Sequence, residues 1–277
     1  MRNILISDFA LRAYLAASVV GLTAPAIGTF LVQRRLSLIG DGVGHLAFAG
    51  VALGLLFNLA PLWGALVVAL VGVIGLERLR TSGRLSGDLS MALVFYFGIA
   101  LGAVVLSALN RFDASAIGIL FGSVFTVSTS DLATMIALCA VDLVAVGLVY
   151  KELLAVALDE ETARASGLPV EVLNVVSVAM TSLLVVAGMR AVGLLLIAAL
   201  LVVPVAAGSR IAHSFRGSML TAMALGVISS MVGLLIALWQ GHIAPGGTIV
   251  LTALGFFGLS MVFGRRAFRR HPRRVAA

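Results

Sequence analysis

The chain has 277 residues, of which 61% are apolar and only 11% are charged. An ordinary soluble domain carries about 25% charged residues, so a body this poor in charge cannot cover a water-facing surface. Composition, net charge (+7) and a mean hydropathy of +1.15 exclude a soluble enzyme, a disordered chain and a disulfide scaffold, and leave an integral membrane protein.

The cations are 18 Arg and one Lys, Lys151. They punctuate apolar runs and form no stripe with interleaved aromatics, which points to the positive-inside pattern and away from nucleic acid. Cys139, the only cysteine, lies within an apolar run and cannot close an intrachain disulfide.

A bilayer core about 30 Å thick needs roughly 20 apolar residues in helical form. Uncharged runs of that length predict nine spans, too continuous for the alternating strands of a β-barrel. In chain order the first is 13–33. It is long for the apolar part of a signal peptide and has no clean small-x-small site after it, so it reads as a retained span. Asn58 and Pro61 divide the next run into 41–58 and 61–79, and 89–109 follows. The stretch 114–130 is shorter and rich in Ser, Thr and Gly. It reads as an extracellular loop with a short re-entrant or interfacial helix. A span over 131–150 carries one acid, Asp142. A polar loop, 151–171, separates it from spans 172–190, 192–211, 217–239 and 247–264, and a basic tail, 265–277, closes the chain. The expectation is an all-α polytopic bundle forming one transmembrane domain over 1–277.

Orientation follows from counting cations by side. With the C-terminus inside, 15 Lys and Arg lie in cytoplasmic segments, and four (Arg2, Arg12, Arg111 and Arg190) lie outside. The bias predicts a cytoplasmic C-terminus and an external N-terminus. The spacings Gly50/Gly54, Gly98/Gly102 and Gly118/Gly122 would allow close helix contact in lipid, although 30 Gly make such spacings common by chance.

Several features bear on chemistry. Asp41 and His45 stand four residues apart at the start of the second span. That spacing puts a carboxylate and an imidazole on one helical face, where both can bind one cation. The donor set suits Zn²⁺, Mn²⁺ or Fe²⁺. Two ligands are too few for a closed site; a two-fold dimer would supply four. The alternative is that Asp41 is an N-cap and His45 an interfacial histidine with a backbone partner.

The loop 151–171 holds five of the 12 acids. Asp159 is placed to cap a short helix of about two turns whose first turn carries Glu160 and Glu161 and which includes Ala163. Gly167 followed by Pro169 supplies a stop. Such a helix is a candidate docking element for a soluble partner; the alternative is an ordinary solvated connector. Pro204, late in the seventh span, frees a carbonyl and predicts a kink that would serve gating. Asp142 either lines a path or pairs with a polar neighbour, and pairing is favoured. His242, in the expected external turn before the last span, is positioned to meet an incoming ion or a partner protein.

There is no Walker A loop, the sole Lys151 following Tyr150, and no HExxH, CxxC or G-x-S-x-G. No catalytic constellation is visible, and the chain is not expected to be an enzyme.

At three places the chain resembles the membrane permease subunit of the zinc/manganese/iron(II) uptake ABC transporters. RRLSLIGDGVGHLAFAGVALG is similar to that family's RR-x-x-x-x-GD-x-x-x-H signature. KELLAVALDEETARASGLPV is similar to its coupling loop, and GLLLIAALLVVPVAAG to its late Pro-containing helix. The resemblance implies the type II ABC importer permease fold and a homodimer in the cell (inner) membrane with the pathway on the two-fold axis. It implies two copies of a separate cytoplasmic ATP-binding subunit and an extracellular or periplasmic metal-binding receptor. Carried over by position, it makes Asp41 and His45 the metal-contacting pair and Asp159–Gly167 the coupling segment, with transported Zn²⁺ favoured over Mn²⁺ or Fe²⁺ and ATP bound on the partner. Two alternatives stand beside it: a proton- or sodium-coupled secondary transporter, and a permease for siderophores or vitamin B12, which would carry an extra N-terminal helix. An intramembrane scaffold or enzyme is a third.

Overall fold

A computed structural model describes residues 8–81, 87–110, 127–189, 192–240 and 243–268. Among these residues the chain is all-helical: α1 (Asp8–Gln33), α2 (Ile39–Leu56), α3 (Pro61–Thr81), α4 (Gly87–Ala108), α5 (Thr129–Leu148), α6 (Tyr150–Leu158), α7 (Glu160–Ala165), α8 (Val170–Gly188), α9 (Leu194–Ile211), α10 (Phe215–Gln240) and α11 (Pro245–Phe268). Nine of them, all but α6 and α7, are long and apolar enough to cross a bilayer. These are the nine expected spans.

Lipid as solvent explains the distribution of side chains. Val71, Val104, Leu148 and Trp239 point outward and are exposed, whereas Thr23, Ser90, Asn174, Thr181 and Ser230 are buried. Several buried hydroxyls turn back onto their own helix: Thr181 Oγ1 donates to Ser177 O (2.9 Å) and Ser182 Oγ to Val178 O (3.0 Å). This satisfies polar groups that lipid cannot. The spans α1 and α2 form the interior. α1 packs against α5, α8, α9 and α10, and α2 against α3, α4, α8 and α9.

Where helices meet, glycine sets the approach. Gly50 and Gly54 of α2 both lie against Gly64 of α3, so this small-residue spacing is a real contact. Pro25, inside α1, lacks the N–H that would bond Gly21 O. That carbonyl lies instead against Gly226 of α10, where any Cβ would collide with it.

The α1–α2 joint is closed by backbone bonds. Arg35 adopts φ 61°, its N–H donates to Val32 O (3.1 Å), and the Leu36 N–H donates to Leu31 O (2.9 Å). This is a Schellman closure with arginine in the left-handed position that glycine usually fills. Leu31 and Leu36 are both buried beneath it.

The structure corrects three boundary expectations. α2 begins at Ile39, with Leu38 in the cap position and no side-chain cap, so Asp41 is not an N-cap but lies in the first turn. The 151–171 loop is mostly helical. α6 follows α5 after Val149 alone, and α7 spans six residues, shorter than expected. Ser128 to Ser130 belong to the start of α5, where Ser128 and Asp131 form a capping box. Residues 114–126, with Gly118 and Gly122, lie outside the described residues, as do 269–277 of the basic tail.

Candidate metal site

α2 carries Asp41 and His45 one turn apart, both half-buried. A carboxylate in the first turn of a helix is favoured by the unpaired N–H groups there. Asp41 lines two cavities. One, of about 190 Å³, is walled by Met91, Phe95 and Tyr96 of α4. The other, of about 710 Å³, lies between α2, α9 and the start of α11, reaching from Asp41 past Leu195 and Ala199 to Ala244 and Gly247.

The His45 ring is fixed by Phe95, edge to face with centroids 4.3 Å apart. Its Nδ1 is buried without a hydrogen-bond partner, so the backbone partner that the alternative reading required is not at that atom. A buried imidazole nitrogen with no partner, beside a carboxylate that lines a cavity, is a donor pair available to a cation. No third His, Cys, Asp or Glu joins them among the described residues.

The other singled-out residues lie elsewhere. Asp159 caps α7: its Oδ1 accepts from the N–H of Glu161 (3.0 Å) and of Thr162 (3.1 Å), and its Oδ2 from Thr162 Oγ1 (2.6 Å). The Thr162 hydroxyl and N–H hold the Asp159 carboxyl below the usual carboxylate range. Gly167 adopts φ 82° and closes α7, its N–H donating to Arg164 O and the Leu168 N–H to Ala163 O. Ala163 is buried beneath this turn. Pro204 is buried within α9, which continues through it to Ile211. His242 lies outside the described residues.

Asp142 departs from expectation. It is fully buried, and neither carboxyl oxygen has a hydrogen-bond partner among the described residues. The polar partner favoured from sequence is not found among the described residues; Cys139, one turn earlier, is its neighbour and faces Thr23 of α1.

Three features escaped the sequence. Phe95 carried no signal. Gly98 of α4, which lies against the His45 carbonyl, was visible only as half of a small-residue spacing. Glu160 of α7 gathers partners from three places. Arg34 at the end of α1 reaches its Oε2 (3.7 Å), Arg164 its Oε1 (3.6 Å), and Asn174 of α8 donates to Oε1 (3.4 Å). Arg164 also meets Glu171 at 3.4 Å. In the sequence Arg34 stands only as a topology-setting cation and part of a motif.

The fold and the placement of these groups define a polytopic, all-helical membrane protein with a polar pair beside an internal cavity. A family model for the ABC 3 transport family matches residues 7–264, and the chain belongs to that family. It is 32% identical to an uncharacterized membrane protein of Synechocystis, over 93% of this chain and 92% of that one. It is 30% identical to the manganese import system permease protein ScaB of Streptococcus parasanguinis, over 91% and 89%. Its structure is similar to PsaBC of Streptococcus pneumoniae, solved in complex with Fab, with TM-score 0.84, 29% identity, and coverage of 94% of this chain and 93% of that one. A metal-chelate type ABC transporter in an inward-facing conformation shares the fold at TM-score 0.68 and 18% identity, covering 95% and 88%.

Proposed function

We propose that this chain is the permease subunit of an ATP-driven importer of divalent transition-metal ions, acting as a homodimer by alternating access, with Asp41 and His45 as the ligands of the ion in transit. The observation that carries the reading is the pair itself: a carboxylate at a cavity wall and an unpartnered buried imidazole nitrogen, one turn apart, in a member of the ABC 3 transport family. Two donors per chain hold an ion weakly enough to release it, and a second copy would complete four ligands on the axis. Two facing carboxylates favour a dication over Na⁺ or K⁺ by Coulomb's law.

Among Zn²⁺, Mn²⁺ and Fe²⁺, the name of the Streptococcus parasanguinis relative favours manganese as the first ion to test over the zinc preferred from sequence alone. With the C-terminus inside, the larger cavity would reach from Asp41 to the external end of α11 at Ala244 and Gly247, the side from which a metal-binding receptor would deliver the ion. α7 would then face a separate ATP-binding subunit in the cytoplasm. ATP hydrolysis is assigned to that subunit.

The test is uptake of Mn²⁺, Zn²⁺ and Fe²⁺ into proteoliposomes holding this chain, its ATPase and its receptor. Asp41→Ala and His45→Ala should each abolish ATP-dependent uptake while the complex still assembles and hydrolyses ATP. Normal uptake by both variants defeats the assignment. Uptake that ignores ATP but collapses with the proton gradient would favour a secondary transporter.

A further inference from the structure

The helix α7 is six residues long and mostly exposed, and its Glu160 ties it by charge to the end of α1. Glu160 meets Arg34, whose side chain is 7% exposed, whereas Arg164, the other cation on Glu160, is 55% exposed. Exposed pairs contribute little, because water screens them. A pair with one nearly buried partner is screened less than a pair in water. The Arg34–Glu160 pair is therefore the firm attachment and the Arg164 pairs the loose ones.

What Arg34 is attached to matters more. It is the last residue of the α1 helical turn, its N–H donating to Phe30 O (3.3 Å). The next residue begins the Schellman closure, and four residues later α2 starts; Asp41 is its third residue. A push on α7 through Glu160 thus arrives at a bonded joint whose other arm carries Asp41 and His45. Asn174 holds the opposite side of Glu160 on α8, which also packs against α2. A second tie lies close by. Tyr150, at the start of α6, packs on Phe30 (5.7 Å) and near Phe215 (6.2 Å), and Phe30 on Phe215 (5.2 Å). The aromatic trio anchors α6 to α1 and α10, so α7 swings from a fixed base.

We propose that Arg34 and Glu160 are positioning residues that transmit movement of α7 to the metal-bearing start of α2, so that the charge pair, and not the contact of α7 with the bundle at large, makes ATP hydrolysis productive for ion movement. This rests on the permease reading above. Neither residue touches the ion. Their action is on where Asp41 and His45 stand in each conformation.

The test measures ATP hydrolysed per Mn²⁺ imported by the reconstituted full complex. Glu160→Gln and Arg34→Met should raise that ratio roughly tenfold, within the usual range of coupling between two sites. Hydrolysis without receptor is measured beside it, so that the ratio is read against each variant's own basal rate. Arg34→Glu with Glu160→Arg should restore the ratio in large part, which a purely structural role would not produce. Arg164→Gln, which breaks only the exposed pairs, should leave it unchanged. An unaltered ratio in both single variants overturns the proposal. So does loss of assembled complex in both that the exchanged pair fails to repair, since the pair would then serve folding alone. If the parent complex imports no divalent metal, the permease reading fails; if the parent imports and the ratio never moves, only this proposal fails.

Discussion

Gly98 of α4 and His45 of α2 meet backbone to backbone: a Cβ at position 98 would stand 2.5 Å from the His45 carbonyl carbon. Real Cβ atoms do not approach that closely, so a side chain there must move α2 at the residue that orients the imidazole. Gly98→Ala should lower metal uptake at least as much as it lowers stability, with a cost of about 1–3 kcal/mol typical of overpacking. Uptake set beside thermal unfolding of the purified variant checks this. Gly75→Ala, inside α3 where a Cβ would meet nothing within 4 Å, is the matched control; it should leave uptake unchanged and should not lower stability.

Asp142 is buried with no hydrogen-bond partner among the described residues. An unsatisfied buried polar group costs about 1–3 kcal/mol. Asp142→Ala should therefore raise the unfolding midpoint in detergent, against the usual direction of a large-to-small change. A fall in the midpoint would reveal an interaction of the carboxyl in the assembled protein.

The cap of α7 has a definite pH dependence. Because hydrogen bonds lower the Asp159 pKa in the folded chain, its contribution is complete above the unfolded value of about 3.9 and fades as the pH falls through the lower folded value. Exchange of the Glu161 and Thr162 amides, corrected for intrinsic rate, should be level from about pH 5 to 8 and accelerate only in acid. Asp159→Ala should accelerate it throughout, and Asp159→Asn should preserve most of the protection, since Asn caps nearly as well.

Gly167 is held at φ 82° with open space where a Cβ would stand. Substitution there meets backbone strain and no clash. Gly167→Val should cost about 1–2 kcal/mol by the left-handed penalty and Gly167→Asn less. Copurification of the ATPase should follow the same order: glycine, asparagine, valine.

Much of this architecture was legible because membrane spans are written in local composition. The nine apolar runs match helices α1 to α5 and α8 to α11 to within a few residues. The ends of α7 were readable too, since Asp159 and Gly167 carry their chemistry in their own side chain and backbone. The start of α2 was not, because Leu38 caps it without a side-chain bond. α6 was hidden because Lys151 and Glu152 broke the apolar run although the helix resumes after one residue. Within the site, the i, i+4 spacing of Asp41 and His45 was visible. Their setting was not: Phe95 against the imidazole, Gly98 against its backbone, and Arg34 reaching Glu160 across 125 intervening residues all depend on helices meeting in space. Asp142 shows the limit in the other direction, since burial was foreseeable and the missing partner was not.

Where Gly21 O rests on Gly226, main chain abuts main chain with no side chain between. Interlocking side chains can swap rotamers and accommodate a change of angle; bare peptide surfaces have no such slack. Under the proposed transport, helices α1 and α10 would then travel as a single plate, and the rearrangement would hinge along other seams of the molecule.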